Sequence, residues 1–224
     1  MQKTVLLLVA TLTLLGCNLK KQTITINDLQ YTIDGSMDKG IAKCYFKDGS
    51  IQSTTELSGG MLNGKFEFFY DNHKLKKYYY HKDGQIHGPY KMYYKDGSLF
   101  EEGSFANGYK AGTTMQYNPN GTKLAEIKYS GKDMESITEY RLGKAYTYKL
   151  AVSKEKMPMQ SSTIYSFKVT PEPRLVKYYI EQNGKNYLIE GNSYRTIQHM
   201  PGKIKFTAKG ITDYGNGFML AAEK

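Results

Sequence analysis

Short apolar runs alternate with polar residues along most of this chain, and turn-forming residues cut the runs at regular intervals. Between residues 40 and 140 the runs are rich in Tyr, Phe, Ile and Leu and are bounded by Gly, Asn and Asp. That is the chemistry of strands and turns. Phe66, Phe68 and Tyr70 alternate with Lys65, Glu67 and Phe69, which places the first set on one face of a strand. Asp48-Gly49, Asp96-Gly97 and Asn120-Gly121 tolerate the positive φ of a tight hairpin turn. Return strands are expected after them, over Ile51–Leu57, Leu75–His81, Leu99–Phe105 and Leu124–Tyr129. Each of these runs into a second turn, at Gly59-Gly60, Asp83-Gly84, Asn107-Gly108 or Ser130-Gly131. Nothing between Ile24 and Leu150 has the periodicity of a long amphipathic helix.

The punctuation keeps a strict beat. Gly40, Gly64, Gly88 and Gly112 form one series, and Gly60, Gly84 and Gly108 a second. Gly49, Gly97 and Gly121 form a third, broken once by His73, and Tyr45, Phe69, Tyr93 and Tyr117 follow the same spacing. Each step is 24 residues or a multiple of it (64 − 40 = 24, 97 − 49 = 48). A fifth pass near Ser136–Tyr140 has lost its glycine. A fixed period of this size means stacked units that bury their apolar faces against each other. One unit is one β-hairpin, so residues 30–150 read as an antiparallel meander of stacked hairpins, with the glycines of the first two series as structural turns. The predicted fold is all-β.

One unit carries a recognisable signature. Tyr-Tyr-Lys-Asp-Gly-Ser-Leu at 93–99 is followed by Glu102, Phe105, Asn107-Gly108 and Gly112, and is echoed at 45–51 and 62–66. This resembles the MORN repeat in its bacterial variant form, over residues 30–140. The resemblance implies a hairpin array. It also implies a role in binding phospholipid, in membrane juxtaposition or in scaffolding, and many bacterial members carry an antitoxin label. The Trp usual in the family is absent; Phe66, Tyr90 and Thr114 hold the comparable places.

Beyond Lys154 the beat stops. Residues 151–162 are polar and Met/Pro-bearing and read as a linker. Residues 163–224 read as a small β domain: Thr163–Val169, Leu175–Gln182 and Lys185–Glu190 about the Asn183-Gly184 turn, then Lys203–Lys209 after Pro201-Gly202, and Gly217–Ala222. Tyr194–Lys209 loosely resembles a run in small β-sandwich accessory domains of envelope lipoproteins.

The start of the chain has a different character. Met1-Gln2-Lys3 precedes an apolar run from Val5 to Leu15, too short for an ordinary spanning helix but suited to a signal peptide. It ends in Leu14-Leu15-Gly16-Cys17, which resembles the lipobox of bacterial lipoproteins. The resemblance implies removal of residues 1–16, acyl chains such as palmitate on Cys17, and a tether over 17–29. Asn18 in place of Asp after Cys17 fits delivery to the outer membrane, with the periplasmic leaflet favoured. Cys44 is then the sole unlipidated cysteine, so no intramolecular disulfide is expected.

The formal net charge is +10, carried almost wholly by lysine, since arginine occurs only at 141, 174 and 195. The lysines are spread along the chain, whereas nucleic-acid binders cluster their cations; attraction to anionic surfaces is the better reading. His73, His81 and His87 invite a metal, but His73 falls at one hairpin end and His87 at the other, a strand length of about 20 Å apart. The Lys-Asp-Gly-Ser turns at 47–50 and 95–98 offer one carboxylate each, too few for calcium. Gly-x-Ser-x-Gly, His-Glu-x-x-His and a phosphate-cradling loop are all missing. The sequence therefore predicts no enzyme, no cofactor and no resident metal.

What remains is a set of tyrosines interleaved with lysines in units two and three: Tyr78, Tyr80, Tyr93, Tyr94 and Tyr109 with Lys77, Lys91 and Lys95. These are the candidate contact residues, for an envelope protein or an anionic lipid or glycan surface. The function expected is a non-enzymatic envelope lipoprotein acting as scaffold or binding surface. An antitoxin or immunity-type inhibitor of an exported toxin is the alternative.

Overall fold

The turns organise this molecule, and they do so identically in successive units. A computed structural model describes residues 22–157, 162–182, 185–196, 204–212 and 217–223, all in strands and connecting turns. The expected signal segment 1–16, Cys17, the first residues of the expected tether, the turns expected at Asn183-Gly184 and Pro201-Gly202, and His199 lie outside the described residues. The chain forms two compact units: residues up to Tyr109 with Pro119–Gly121, and Lys110–Asn118 with Thr122 onward.

In the first unit, strands β1 (Thr23–Ile26), β2 (Leu29–Gly35), β3 (Lys39–Tyr45), β4 (Ile51–Ser58), β5 (Met61–Phe69) and β6 (Leu75–Lys82) each pair antiparallel with the next. Strand β6 then pairs with the short β7 (Gln85–Ile86) and with β8 (Gly88–Tyr93), and β8 with β9 (Leu99–Ala106). At one end of the hairpins, the amides of Phe46, Tyr70 and Tyr94 donate to the carbonyls of Ser50, Lys74 and Ser98 at 2.8–2.9 Å. The left-handed position in these turns is Gly49, His73 or Gly97. The ladder slips by one residue at Tyr45, Phe69 and Tyr93. The aromatic beat of the sequence is thus the bulge that turns each strand into its loop.

The other ends carry two-residue turns with positive φ at both central positions, the geometry that matches strand twist. They fall at Gly59-Gly60, Asp83-Gly84 and Asn107-Gly108. The amides of Gly60, Gly84 and Gly108 donate to the carbonyls of Met37, Leu62 and Ile86, tying each turn to the preceding one.

The first glycine series is not a series of turns. Gly64, Gly88 and Gly112 sit inside or at the start of strands with φ of +105°, +80° and +67°. Between Thr55↔Phe66 and Leu57↔Leu62, β4 advances two residues while β5 advances four. The same two-residue surplus recurs between Tyr78↔Lys91 and His81↔Ile86. Gly64 and Gly88 therefore mark recurring bulges, and the positive φ at all three glycines would strain a residue with a Cβ. Gly40 differs: its φ is ordinary, it pairs in register with Gly35 of β2, and a Cβ there would collide with the Ser36 carbonyl. A glycine ahead of a strand reads alike in sequence whether it makes a turn or a bulge.

One face of this sheet is buried. Tyr31 on β2 and Phe66 on β5 meet edge to face at 6.1 Å, although three strand spacings would hold them about 14 Å apart in a flat sheet. The sheet curls and the rings lean over the small residues between them, Ala42, Ser53 and Thr55, all at most 1% exposed. Tyr31 is also hydrogen bonded to Ser53 across two strands, at 2.7 Å.

The second unit is a β-sandwich. Strands β10 (Tyr109–Tyr117), β11 (Lys123–Ser130), β12 (Asp133–Arg141), β13 (Lys144–Met157) and β14 (Ser162–Thr170) follow one another antiparallel, and β17 (Ser193–Thr196) adds to β14. The second sheet is β16 (Lys185–Ile189), β15 (Leu175–Gln182), β18 (Lys205–Ile211) and β19 (Gly217–Glu223), in that spatial order. Rings from both sheets interdigitate, Phe167 on Phe206 at 4.8 Å and Tyr148 on Phe218 at 6.4 Å. The fourth and fifth repeat hairpins therefore build most of one sheet, extended by β14 and β17, and β15, β16, β18 and β19 form the other. Residues 151–157, placed in a linker, continue β13 and pair with β14 out to Met157↔Ser162. Ser153–Lys156 are exposed, so their polarity reflects a strand in solvent rather than a break in structure.

Candidate binding face

Cross-strand pairing separates the candidate residues onto two faces of the first unit. Thr32, Lys43, Thr54, Glu67, Tyr78, Lys91 and Glu102 form one row across six strand pairings, on the face away from the buried rings. Tyr80, opposite Lys65, shares this outward face. Tyr78 and Tyr80 contact edge to face at 5.9 Å, and the Lys65 ammonium lies 4.8 Å from the Tyr78 ring. Burial, then the nearby Tyr93, hold the Tyr78 phenol above its ordinary pKa. Tyr94 caps Phe100 at 5.1 Å, and its phenol is likewise raised, by burial and then by Asp96. The result is an aromatic stripe of Tyr80, Tyr78, Tyr93, Phe100 and Tyr94.

The cations along this stripe are compensated. Lys65 pairs with Glu67, and Lys91 with Glu102 at 3.0 Å; both lysines are held above their ordinary pKa by these hydrogen bonds. Lys95, at the hairpin end, pairs with Asp71 at 2.8 Å. Three more bonds join the same two hairpin ends. Tyr70 donates to the Tyr93 carbonyl at 2.7 Å, Asn72 to the Lys95 carbonyl at 2.9 Å and Lys74 to the Asp96 carbonyl at 2.6 Å.

Two candidates stand apart. Lys77 points to the opposite, curled face, in the row Cys44, Ser53, Phe68, Lys77, Met92 and Glu101. Its ammonium lies 4.5 Å from the Phe68 ring, and burial followed by Lys76 lowers its pKa. Tyr109 is exposed beyond the Asn107-Gly108 turn, at the other end of the strands from Lys95. Reasoning from single residues missed Lys65, Glu67, Phe100 and Glu102. The period-two alternation about Tyr78 was the signal that could have found them.

The curled face holds the strongest perturbations. Burial pushes the Tyr79 phenol up to about 12 and the His81 imidazole down to about 4. His81 packs between Phe66 at 5.6 Å and Tyr79 at 5.4 Å, and its Nδ1 has no hydrogen-bond partner among the described residues. Tyr90 donates to the buried Glu101 at 2.7 Å. These groups pack the core of the curled face. A cleft of about 650 Å³ does occur within the second unit, lined by Phe167, Val169, Tyr178, Leu188, Lys168, Lys177 and Glu172 among others. Among the described residues, no three His, Cys, Asp or Glu side chains converge as metal ligands.

Comparison with known proteins bears on the repeat alone. Residues 86–107 match the MORN repeat variant. They span β7, β8, β9 and the Gly88 bulge, the same elements that recur through the first unit. A search of curated proteins gives no significant match. Among solved structures, the GtfA/B complex bound to UDP and GlcNAc is similar over 53% of this chain and 24% of that chain, with 10% identity and a TM-score of 0.24.

Proposed function

We propose that this chain is a non-enzymatic lipoprotein of the cell envelope, held to the outer membrane by acyl chains on Cys17, whose repeat sheet is the contact surface for a partner protein. The observation that carries the reading is the outward stripe of Tyr78, Tyr80, Tyr93, Phe100 and Tyr94 with ion-paired lysines between the rings. Rigid aromatics amid satisfied charges are the composition of protein interfaces, whose cores favour Tyr over uncompensated Lys. An anionic membrane would call for unpaired cations instead. The signal-like start and Leu-Leu-Gly-Cys support the anchored location.

The test is purification of the tagged, lipidated protein from native membranes after mild crosslinking, read by mass spectrometry. A stoichiometric envelope protein is expected, and it is lost in the Tyr78→Ser, Tyr93→Ser double variant. Recovery without any protein partner sinks the scaffold. Cys17→Ala moves the chain out of the membrane fraction; unchanged partitioning sinks the anchor.

A further inference from the structure

The second sheet of the sandwich has a face that the repeat array does not explain. Along β15 the side chains of Val176, Tyr178 and Ile180 turn to the core, so Leu175, Lys177 and Tyr179 point outward. Pairing then fixes their neighbours. Leu175 lies opposite Ile211, Lys177 opposite Lys209, Lys209 opposite Met219, and Tyr179 opposite Leu188. Four large aliphatic side chains on this one face are open to solvent: Leu175 at 58%, Leu188 at 55%, Met219 at 49% and Ile211 at 38%. They occupy three adjacent rows over four strands, an area of about 14 Å by 14 Å at ordinary sheet spacings. Single exposed apolar residues are ordinary; here four share one face with two lysines.

Among the described residues, two lysines meet at the centre of this face. Lys177 and Lys209 are direct cross-strand partners, an arrangement that is destabilising by itself. Neither makes an ion pair among the described residues; Lys209 rests over the Tyr179 ring at 5.0 Å. Glu181 lies opposite Lys205 at the far end of the strands, two rows away, and Glu190 follows the end of β16. Two adjacent cations set among aliphatic side chains call for an anionic, partly apolar counterpart.

We propose that this face docks on an anionic lipid bilayer. Leu175, Leu188, Ile211 and Met219 enter the head-group boundary while Lys177 and Lys209 meet lipid phosphates. Aliphatic side chains with lysines among them suit lipid, where long cationic side chains reach the interface. Protein interfaces are depleted in lysine. The proposal rests on the envelope location argued above and assigns the second unit to the membrane, leaving the aromatic stripe of the repeats for a partner.

The chain contains no tryptophan, so one introduced indole reports its own surroundings. Full-length lipidated protein carrying Leu188→Trp, or Met219→Trp as a second reporter, is reconstituted on vesicles of phosphatidylethanolamine and phosphatidylglycerol. Leu142→Trp, at a fully exposed turn position of the same unit, is the control. Flotation scores anchoring separately. The expected result is blue-shifted emission at 188 and 219, quenched by brominated lipid, with a water-like, unquenched control. Lys177→Glu with Lys209→Glu is expected to cut the quenching at 188 by about two-fold or more, since each basic residue near an anionic surface favours docking about five-fold. A chain that floats but shows water-like emission at both reporters, or equal quenching at 142, overturns the docking face alone. A chain that does not float overturns the anchor and this proposal with it.

Discussion

Gly88→Ala is the perturbation that best tests the repeat geometry. The residue opens β8 with φ of +80°, and a Cβ built there meets nothing within 4 Å. Steric collision with neighbours therefore contributes nothing, and the effect isolates the backbone. Holding an L-residue in the left-handed region costs about 1–2 kcal/mol. Loss of glycine's freedom in the unfolded chain offsets about 0.4–1 kcal/mol. The net expectation is a destabilisation of about 1 kcal/mol. Gly88→Val adds a β-branch and should reach about 2–3 kcal/mol, whereas Gly88→Asn, tolerant of positive φ, should fall between glycine and alanine. Urea unfolding followed by tyrosine circular dichroism reads the midpoint at constant slope. The diagnostic is the order Gly, Asn, Ala, Val from most to least stable, because ordinary strand propensity ranks valine best. A valine variant as stable as the parent refutes the bulge. Gly217→Ala, where φ is ordinary and nothing lies within 4 Å, is the matched control and should lose nothing.

Two further outcomes follow from the turn at Leu142 and the burial of His81. Leu142 sits at φ of +47° beside Gly143 at +73° and is fully exposed, so it occupies a turn position made for Asn; Leu142→Asn should raise stability by about 1 kcal/mol in the same unfolding assay, and no gain would count against that turn. His81 is held at about 4, below its ordinary 6.5, by burial. Above pH 6.5 neither state is charged; as pH falls from there to about 4 only the unfolded chain binds the proton, so stability falls. The shift corresponds to about 3 kcal/mol, and about 1–2 after solvent screening. His81→Leu, which restores the residue type of Leu57 one period earlier, should flatten that acid slope by one proton. An unchanged slope would place the titration elsewhere.

The hairpins were legible in sequence because their determinants are local. Asp-Gly and Asn-Gly turns and alternating rings fix a strand pair within one period, and return strands such as Ile51–Leu57 and Leu75–His81 came out within a residue of their ends. The bulges were not legible, since a strand-leading glycine carries no mark of whether its φ serves a turn or a slip in register. The sandwich was hidden for a different reason. Its defining contacts, Phe167 on Phe206 and Lys205 bonded to Asp133 at 2.6 Å, join residues far apart in sequence. The candidate site was half legible. Alternation could place Tyr78, Tyr80, Lys91 and Tyr93 together and send Lys77 to the far face, but only pairing registers show which acids neutralise which lysines.

The division between faces also explains where this chain has room to vary its chemistry. On the curled face, ring must meet small residue across three strands, as Tyr31 and Phe66 do over Ala42, Ser53 and Thr55, so each position is constrained by residues in other repeats. On the outward face each side chain answers mainly to its cross-strand partner. The bulge at each Gly64-type position resets the register without disturbing the next hairpin, because the following turn is tied back by a backbone bond such as Gly84 to Leu62. A rigid lattice of outward positions results, spaced by the strands and indifferent to what side chain fills them. Tyr78, in the middle of the outward row beside the Lys65–Glu67 and Lys91–Glu102 pairs, is the contact residue proposed above. Tyr78→Ser removes the ring's contacts with Tyr80 and Lys65 and should cost about 1–2 kcal/mol while weakening partner capture, and a loss well beyond that would return the ring to the structural scaffold.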